Sequence, residues 1–160
     1  MKRIVIDSMI VDLIMETPGL LESIRMAADR GALVIIITHI QVDQLAAAQG
    51  AEWREKLLAT YDALSKETIP TRGFVLGISR LDHARLGDGE ESDVSLEMVK
   101  TGGRGGLHDA LMATTASGDA DVLVTEDGTL AKKARAAGVN CAIWTFQQFA
   151  AFVQAEIKEA

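Results

Sequence analysis

Four aspartates of this 160-residue sequence stand at or just beyond the ends of apolar, strand-like runs. The clearest case is DADVLVTEDGTL, residues 119–130, in which the run Val122–Val124 is too short for a helix and rich in β-branched residues. Such a run is typical of a buried strand in a parallel sheet. Asp127 follows it, immediately before a glycine. Because ligands of open α/β sheets bind outside the carboxyl ends of the strands, the pattern places a carboxylate where a ligand would bind.

Three more aspartates are predicted at the same edge of the sheet. Asp7 ends a first strand, KRIVID, and Asp43 lies in the first turns of the helix after a second strand, LVIIIT. Asp109 opens the helix that leads into the fourth strand; because this helix runs antiparallel to the strand, its start also lies at the carboxyl edge. Clustered carboxylates raise one another's pKa, and divalent cations that prefer oxygen ligands keep them ionised. The four acids therefore predict a magnesium or manganese site, with Glu126 close enough to be a spare ligand.

The elements that must position these acids alternate between strand and helix. The predicted strands are KRIVID, LVIIIT, FVLGIS, VLV and CAIWT, at residues 2–7, 33–38, 74–79, 122–124 and 141–145. The predicted helices cover residues 8–16, 18–31, 39–48, 51–67, 107–118, 128–138 and 146–160, with a break near Pro18 and an end at Gly31. Apolar spacing within 51–67 indicates an inward face made of Trp53, Leu57, Tyr61 and Leu64. Right-handed crossovers place helices on both faces of such a sheet, which predicts a three-layer α/β/α sandwich around a five-stranded parallel sheet.

Length and composition indicate a single domain, residues 1–160, with a polar, glycine-rich variable segment at about residues 80–106. The single cysteine, Cys141, excludes an internal disulfide and a cysteine-based zinc site. The net charge of −7 disfavours a protein that coats nucleic acid by charge alone, although metal-binding acids would contribute to that charge. No segment reaches the length of a membrane span, and the start MKRIVIDS enters a strand at once, so we expect a cytoplasmic protein.

Each acid also has a simpler interpretation. Asp109 or Asp127 taken alone is better explained as a helix cap, because aspartate accepts backbone N–H bonds at a helix start. Together with Asp7, they favour the metal site instead. For Asp43 the alternative is a solvated helix face. The stretch TGGRGG lacks the spacing and the lysine of a phosphate-binding loop, so we interpret it as a flexible approach to the helix that bears Asp109.

Several motifs together resemble the PIN-domain family of metal-dependent ribonucleases, which includes the toxins of many bacterial toxin–antitoxin pairs. These motifs are IDS after the first strand, an acid after IIITHIQV, then HDALMATTA and VLVTEDGTL. The resemblance spans nearly the whole chain in order and is strongest over residues 107–130. It implies a parallel sheet with flanking helices, one or two Mg²⁺ or Mn²⁺ ions, and hydrolysis of phosphodiester bonds in RNA. It also implies that the catalytic and metal-binding residues are Asp7, Asp43, Asp109 and Asp127, with Ser8 and Thr125 as supporting hydroxyls.

The same resemblance implies a homodimer that acts either as a toxin with an antitoxin partner or as an RNA-processing enzyme, and it leaves DNA cleavage open. We expect that Arg104, in the flexible approach to the helix of Asp109, can swing toward a scissile phosphate; the further basic candidates are Arg72, Arg80 and Arg85. The chain departs from the family at Asp43, where the longer glutamate is usual. The shorter side chain requires a closer helix or a bridging water, or else it lowers metal affinity.

Two other classes with a similar architecture are excluded. A phosphoacceptor receiver domain needs paired acids after the first strand and an aspartate at the end of the third, which IDS and FVLGIS do not supply. A haloacid-dehalogenase-type phosphatase needs the pattern D-x-D, and Met9 occupies the position of the second acid. The remaining alternative is a PIN-fold protein with a degraded site that works as a binding scaffold.

Overall fold

The computed structural model describes residues 1–64, 66–72, 83–85 and 104–158. Within these residues there are seven strands, β1 to β7 in chain order: Lys2–Ile6, Leu33–Ile37, Lys66–Thr68, Thr71–Arg72, Ala84–Arg85, Val122–Val124 and Ala142–Trp144. The same residues form seven helices, α1 to α7: Ser8–Glu16, Leu20–Asp29, His39–Ala46, Ala51–Ala63, Arg104–Asp119, Gly128–Ala136 and Phe146–Lys158. The mixed α/β class predicted from the sequence is confirmed.

Five strands form one parallel sheet in the order β3-β2-β1-β6-β7, and β4 pairs with β5 separately. From the central strand β1 the sheet extends one way through β2 and β3, and the other way through β6 and β7. The strand order therefore reverses between β1 and β6. Ile6 pairs with Val124, so the carboxyl ends of these two strands are level. In open α/β sheets a crevice for ligands forms at such a switch point.

Helices cover both faces of the parallel sheet. Successive side chains of a strand point to opposite faces, so Ile4 and Ile6 join one hydrophobic core and Val5 joins the other. The first core includes buried residues of α1, α2, α4 and α7, and the second includes buried residues of α5 and α6. Burial on both faces accounts for the unbroken apolar sequences of β1 and β2. This arrangement agrees with the predicted three layers.

The third strand of the sheet is not the predicted one. Residues 74–79 lie outside the described part of the chain, and the strand next to β2 is Lys66–Thr68, inside the predicted helix 51–67. Helix α4 ends at Ala63, because Leu64 adopts an extended backbone and is buried. Thr68 and Ile69, which precede Pro70, are β-branched and therefore favour an extended backbone. Pro70 in turn disfavours a helical conformation at Ile69. The exposed edge of β2 then supplies the hydrogen-bond partners of a strand.

The predicted inward face of α4 is right except at its first member. Leu57, Tyr61 and Leu64 are buried, whereas Trp53 is 38% exposed. The indole Nε1 of Trp53 donates a hydrogen bond to Asp12 Oδ1 at 3.1 Å. Helical spacing alone does not show that the first turn of α4 contacts the surface of α1 instead of the core.

The helices of the first half otherwise follow the sequence. The chain breaks between α1 and α2 around Pro18, and α2 is followed by Gly31, whose φ of +72° lies in the left-handed region. This conformation is typical of the glycine that terminates a helix. Among the described helices, none combines the length and apolar character required to cross a lipid bilayer.

Candidate metal site at the carboxyl edge of the sheet

The switch point between β1 and β6 carries the first two of the predicted acids. Asp7 directly follows β1, and its backbone N–H donates to the Val124 carbonyl at 2.9 Å. Asp127 lies three residues beyond β6. The sheet hydrogen bonding therefore extends to the start of the site, and the backbones that carry these carboxylates are held by the sheet.

Thr125 connects the two acids through its hydroxyl group. Thr125 Oγ1 donates to Asp7 Oδ2 at 2.8 Å and accepts from the Asp127 backbone N–H at 3.0 Å. Thr125 and Asp7 are only 3% and 7% exposed. The hydroxyl of Ser8, the first residue of α1, is directed to the other oxygen of Asp7 at 3.4 Å. Both predicted supporting hydroxyls thus lie beside the carboxylate of Asp7.

Asp127 is a helix cap with one of its two carboxylate oxygens. Its Oδ1 accepts from the backbone N–H groups of Thr129 at 2.7 Å and Leu130 at 3.1 Å, at the start of α6. The capping interpretation is therefore correct for this oxygen. The other oxygen, Oδ2, accepts no hydrogen bond from the part of the chain that the structure describes. A cap and a ligand role are compatible because they use different oxygens.

The sequence predicted that Asp109 opens its helix. In the structure the helix, α5, begins at Arg104, and Asp109 lies in its second turn. The earlier start includes a buried glycine, Gly106, so packing of the helix outweighs the low helix propensity of that residue. Because α5 runs antiparallel to β6, Asp109 remains near the carboxyl edge of the sheet.

Burial and negative charges at this edge raise the pKa of two of the predicted acids, Asp109 and Asp7. Burial raises the pKa of Asp109, and the negative charges of Asp127 and Asp7 raise it further. Burial also raises the pKa of Asp7, with a contribution from Asp127, while hydrogen bonds from Thr125 and Ser8 oppose the change. Within the described residues, none of these three carboxylates forms an ion pair. The charges of Asp7 and Asp127 thus act on Asp109 across distant parts of the chain, and no ion pair within the described residues neutralises these three carboxylates.

Two basic neighbours oppose the rise in the pKa of Asp109. The charges of Lys133, on α6, and of His108 lower its pKa. Lys133 was not predicted from the sequence, because its relation to Asp109 depends on how α5 and α6 lie side by side. His108 is half-buried and precedes Asp109 in α5.

Asp43 stands somewhat apart from the other three acids. It is half-buried on α3, which begins directly after β2 and therefore at the same edge of the sheet. Its charge is not among those that act on Asp7 or Asp109. In the described ranges, no three acidic, histidine or cysteine side chains already surround a common point as ligands of one ion. The donors are nevertheless all carboxylate oxygens, the type that Mg²⁺ and Mn²⁺ prefer.

Gln41 was not singled out in the sequence, although its motif was readable. Thr38 and Gln41 form a capping box at the start of α3, the T-x-x-Q pattern of a helix N-terminus. The side-chain nitrogen of Gln41 also donates to the Ile6 carbonyl at 3.2 Å, next to Asp7 in sequence. Only the tertiary structure reveals this second bond.

Glu126, the predicted spare ligand, accepts a hydrogen bond at the start of a neighbouring helix, α7. Its Oε1 accepts a hydrogen bond from the backbone N–H of Phe146, the first residue of α7. The side chain also borders a mainly apolar groove of about 500 Å³ beside α1, which is further lined by Met9, Asp12, Leu13, Phe146 and Gln147. We therefore assign Glu126 to helix capping.

The predicted basic residues are only partly described. Arg104 begins α5, but its side chain, that of Arg85 and all of Arg80 lie outside the described part of the chain. Arg72 forms an ion pair with Asp119 at 2.7 Å. Asp119 ends α5, at the amino edge of the sheet, so Arg72 is remote from the acids.

The fold and these side chains define a parallel α/β protein with a cluster of carboxylates at the switch point of its sheet. Comparison of the chain with protein-family models, with curated proteins and with solved structures finds no match.

Proposed function

We propose that this protein is a PIN-like, metal-dependent endoribonuclease whose Mg²⁺ or Mn²⁺ site is formed by Asp7, Asp109 and Asp127 with Asp43. One observation carries the proposal: carboxylates from distant segments lie near the switch point, and burial together with the neighbouring negative charges raises the pKa of Asp7 and of Asp109, without an ion pair to either in the described residues. Such an arrangement costs stability, and proteins retain perturbed acids mainly where they are functional. A hard cation would offset the repulsion.

The chain's own residues have distinct parts in this proposal. Thr125 and Ser8 orient the Asp7 carboxylate, because the Thr125 hydroxyl donates to Oδ2 and the Ser8 hydroxyl to Oδ1. Asp127 offers the oxygen that does not cap α6, and Asp109 adds a third carboxylate from α5. When bound, the metal lowers the pKa of a water nucleophile and stabilises the leaving oxygen of the phosphodiester. No histidine base or serine nucleophile is needed.

RNA is the proposed substrate because of the motif resemblance over residues 107–130, and a net charge of −7 leaves bound cations as the main attraction for phosphate. Lys133, whose charge lowers the pKa of Asp109, supplies a positive charge beside the candidate site. We extend the proposal to a cytoplasmic homodimer that serves as a toxin or as an RNA-processing enzyme, with an antitoxin as the expected protein partner in the first case.

The decisive test is the replacement of Asp7 or Asp127 by asparagine. The asparagine oxygen can accept the same hydrogen bonds, from the Thr125 hydroxyl at position 7 and from the start of α6 at position 127. The variants therefore remove charge while preserving local structure. We expect Mn²⁺-dependent cleavage of varied single-stranded and structured RNAs to fall by about 100-fold or more, because a bound metal contributes several kcal/mol to transition-state stabilisation.

The matched control is Asp29→Asn, which neutralises an exposed carboxylate at the end of α2. Its cleavage rate should equal that of the wild type. If the wild type and both site variants are equally inert on all RNAs, the binding-scaffold alternative replaces the nuclease proposal. If DNA is cut and RNA is not, the metal-dependent mechanism stands with a different substrate.

A further inference from the structure

Helix α6 carries three positive charges and no acidic side chain. In residues 128–155 there is no aspartate or glutamate, although the whole chain has a net charge of −7, and the basic residues of this range are Lys132, Lys133 and Arg135. The helix begins at the candidate metal site, because Asp127 Oδ1 accepts hydrogen bonds from the backbone of its first turn. A positively charged surface therefore starts beside the carboxylates.

The packing of α6 determines where these side chains project. Leu130 and Ala134 are fully buried in the second core. At about 100° per residue, Lys132 and Arg135 lie on the side of the helix away from that core, and both are exposed. Lys133 lies on the flank and is half-buried, and its charge acts on Asp109. The three cations thus extend from the flank near the candidate site to the solvent-exposed side of α6.

These three cations are not engaged by the rest of the described chain. Within the residues that the structure describes, none of them forms an ion pair or a hydrogen bond through its side chain. Each described lysine and arginine from Lys2 to Arg72, by contrast, lies against an acid, a backbone carbonyl or an aromatic ring. The charges of α6 are therefore available to an external anion.

Stabilisation of the helix end does not account for all three charges. Lys133 and Arg135 lie in the last turn of α6, where a positive charge interacts favourably with the helix dipole. Lys132 precedes that turn and is exposed. Lys158 occupies the last turn of α7, at the far end of a helix that begins beside Glu126. It provides a comparable helix end at a distance from the carboxylates.

We propose that α6 is a phosphate-binding surface, along which the backbone of a single-stranded RNA lies as it leaves the candidate metal site. This inference rests on the proposed function, which makes RNA the substrate. Lys133 contacts the phosphate nearest to the carboxylates, and Lys132 and Arg135 contact phosphates further along the strand. Contacts between such cations and phosphate add affinity and position the strand without reading its sequence.

The test measures the salt dependence of RNA binding in a triple variant, Lys132→Gln, Lys133→Gln and Arg135→Gln. Anisotropy follows the binding of a fluorescently labelled single-stranded RNA of mixed sequence, from low salt upward. A chelator is present, so that neither cleavage nor a bound metal contributes. Each lost phosphate contact reduces the slope of log K against log salt by about 0.7. We expect the triple variant to lose about two units of slope, and about 100-fold in affinity at about 0.1 M salt.

The matched control is Lys158→Gln, which removes one positive charge from the last turn of another helix. Its slope should equal that of the wild type, and its affinity should stay within about twofold, because salt screens distant exposed charges. Lys133→Arg keeps the charge and should bind RNA as the wild type does. Should the triple variant fail to fold, the three single variants take its place, each with an expected loss of about 0.7 in slope.

The outcomes separate this inference from the proposed function. A triple variant with the slope and affinity of the wild type overturns the phosphate-binding surface, as does a loss in Lys158→Gln as large as that of a single α6 variant. Cleavage of RNA by the wild type would then leave the nuclease proposal intact. If the wild type binds RNA through α6 but cuts none with Mn²⁺, the nuclease proposal is wrong and the surface stands. If the wild type binds no RNA in the chelator, the surface is wrong whether or not RNA is cut with Mn²⁺.

Discussion

At the scale of single residues, the carboxylates at the carboxyl edge of the sheet carry a cost to stability. Asp109 is half-buried beside two other carboxylates, and both conditions oppose its ionisation. Its pKa is therefore raised above the ordinary value of 3.8 in the folded chain. The folded state holds this proton more tightly than the unfolded state does, so the protonated carboxyl stabilises the fold relative to the charged one.

The sign of the pH dependence follows directly from this shift. The stabilisation associated with protonated Asp109 is complete below pH 3.8 and is lost as the pH rises through the raised pKa of the folded state. Asparagine at this position stays neutral at every pH. In the absence of divalent cations, we expect Asp109→Asn to have a larger free energy of unfolding than the wild type at pH 7.

This difference should shrink as the pH falls toward 4, because the wild-type carboxyl also becomes neutral. Urea unfolding of both proteins from pH 7 to pH 4, in the presence of a chelator, measures it. Asp29→Asn should instead follow the wild-type profile. A variant Asp109→Asn that is less stable than the wild type at pH 7 would contradict the electrostatic account.

At the scale of elements, the ends of helices show which features are local. The capping box at Thr38, the break around Pro18 and the end of α2 at Gly31 are all readable from a few adjacent residues. The end of α4 is different. The apolar periodicity of residues 51–67 does not show whether the helix continues or whether Lys66–Thr68 form a strand. The choice is made by the open edge of β2, with which this strand pairs.

Replacement of Gly31 by alanine tests the local control of α2. A side chain at this position meets no atom within 4 Å, so the only cost is the left-handed backbone with φ of +72°. We expect the free energy of unfolding to fall by about 1 kcal/mol, the penalty of that region for residues with a Cβ atom. Chemical denaturation provides the measurement.

Gly128→Ala is the paired control. Gly128 begins α6 without a positive φ, and a Cβ atom there also meets nothing within 4 Å. Alanine should leave the free energy of unfolding unchanged or slightly increase it, because alanine favours helices more than glycine does. Equal losses in both variants would show that the backbone conformation of Gly31 is not the cause.

At the scale of the whole molecule, the proposed site links metal binding to stability. A ligand that binds only the folded chain stabilises it by about 2.7 kcal/mol at a free concentration 100 times its dissociation constant. For a domain of this size, that corresponds to a rise in Tm of roughly 5–10 °C. We expect this rise on addition of Mn²⁺ at neutral pH, and a return to the original Tm when a chelator is added.

The thermal shift should be largely absent in Asp127→Asn. This variant keeps the oxygen that caps α6 and loses the charge needed to hold a cation. Thermal unfolding followed by circular dichroism compares the two proteins. An equal shift in the variant would mean that Mn²⁺ acts at other carboxylates of this acidic chain.

The sequence alone was sufficient to predict the α/β class, the alternation of elements, and the placement of Asp7, Asp43 and Asp127 at or near strand ends. Each depends on interactions between neighbours along the chain: β-branched runs favour strands, and residues such as Thr38 and Gly31 favour helix ends. These preferences act over a few residues, so they can be read without knowing what packs nearby.

Only the tertiary structure decided which strand occupies the edge of the sheet, that Trp53 lies at the surface, and that Gln41 reaches β1. It also decided that Asp109 lies close enough to Asp7 and Asp127 for their charges to raise its pKa, with Lys133 nearby to oppose them. These features depend on pairs of residues far apart in the chain. Their proximity is determined by the total packing and hydrogen bonding of the fold, and short sequence patterns do not encode those distances.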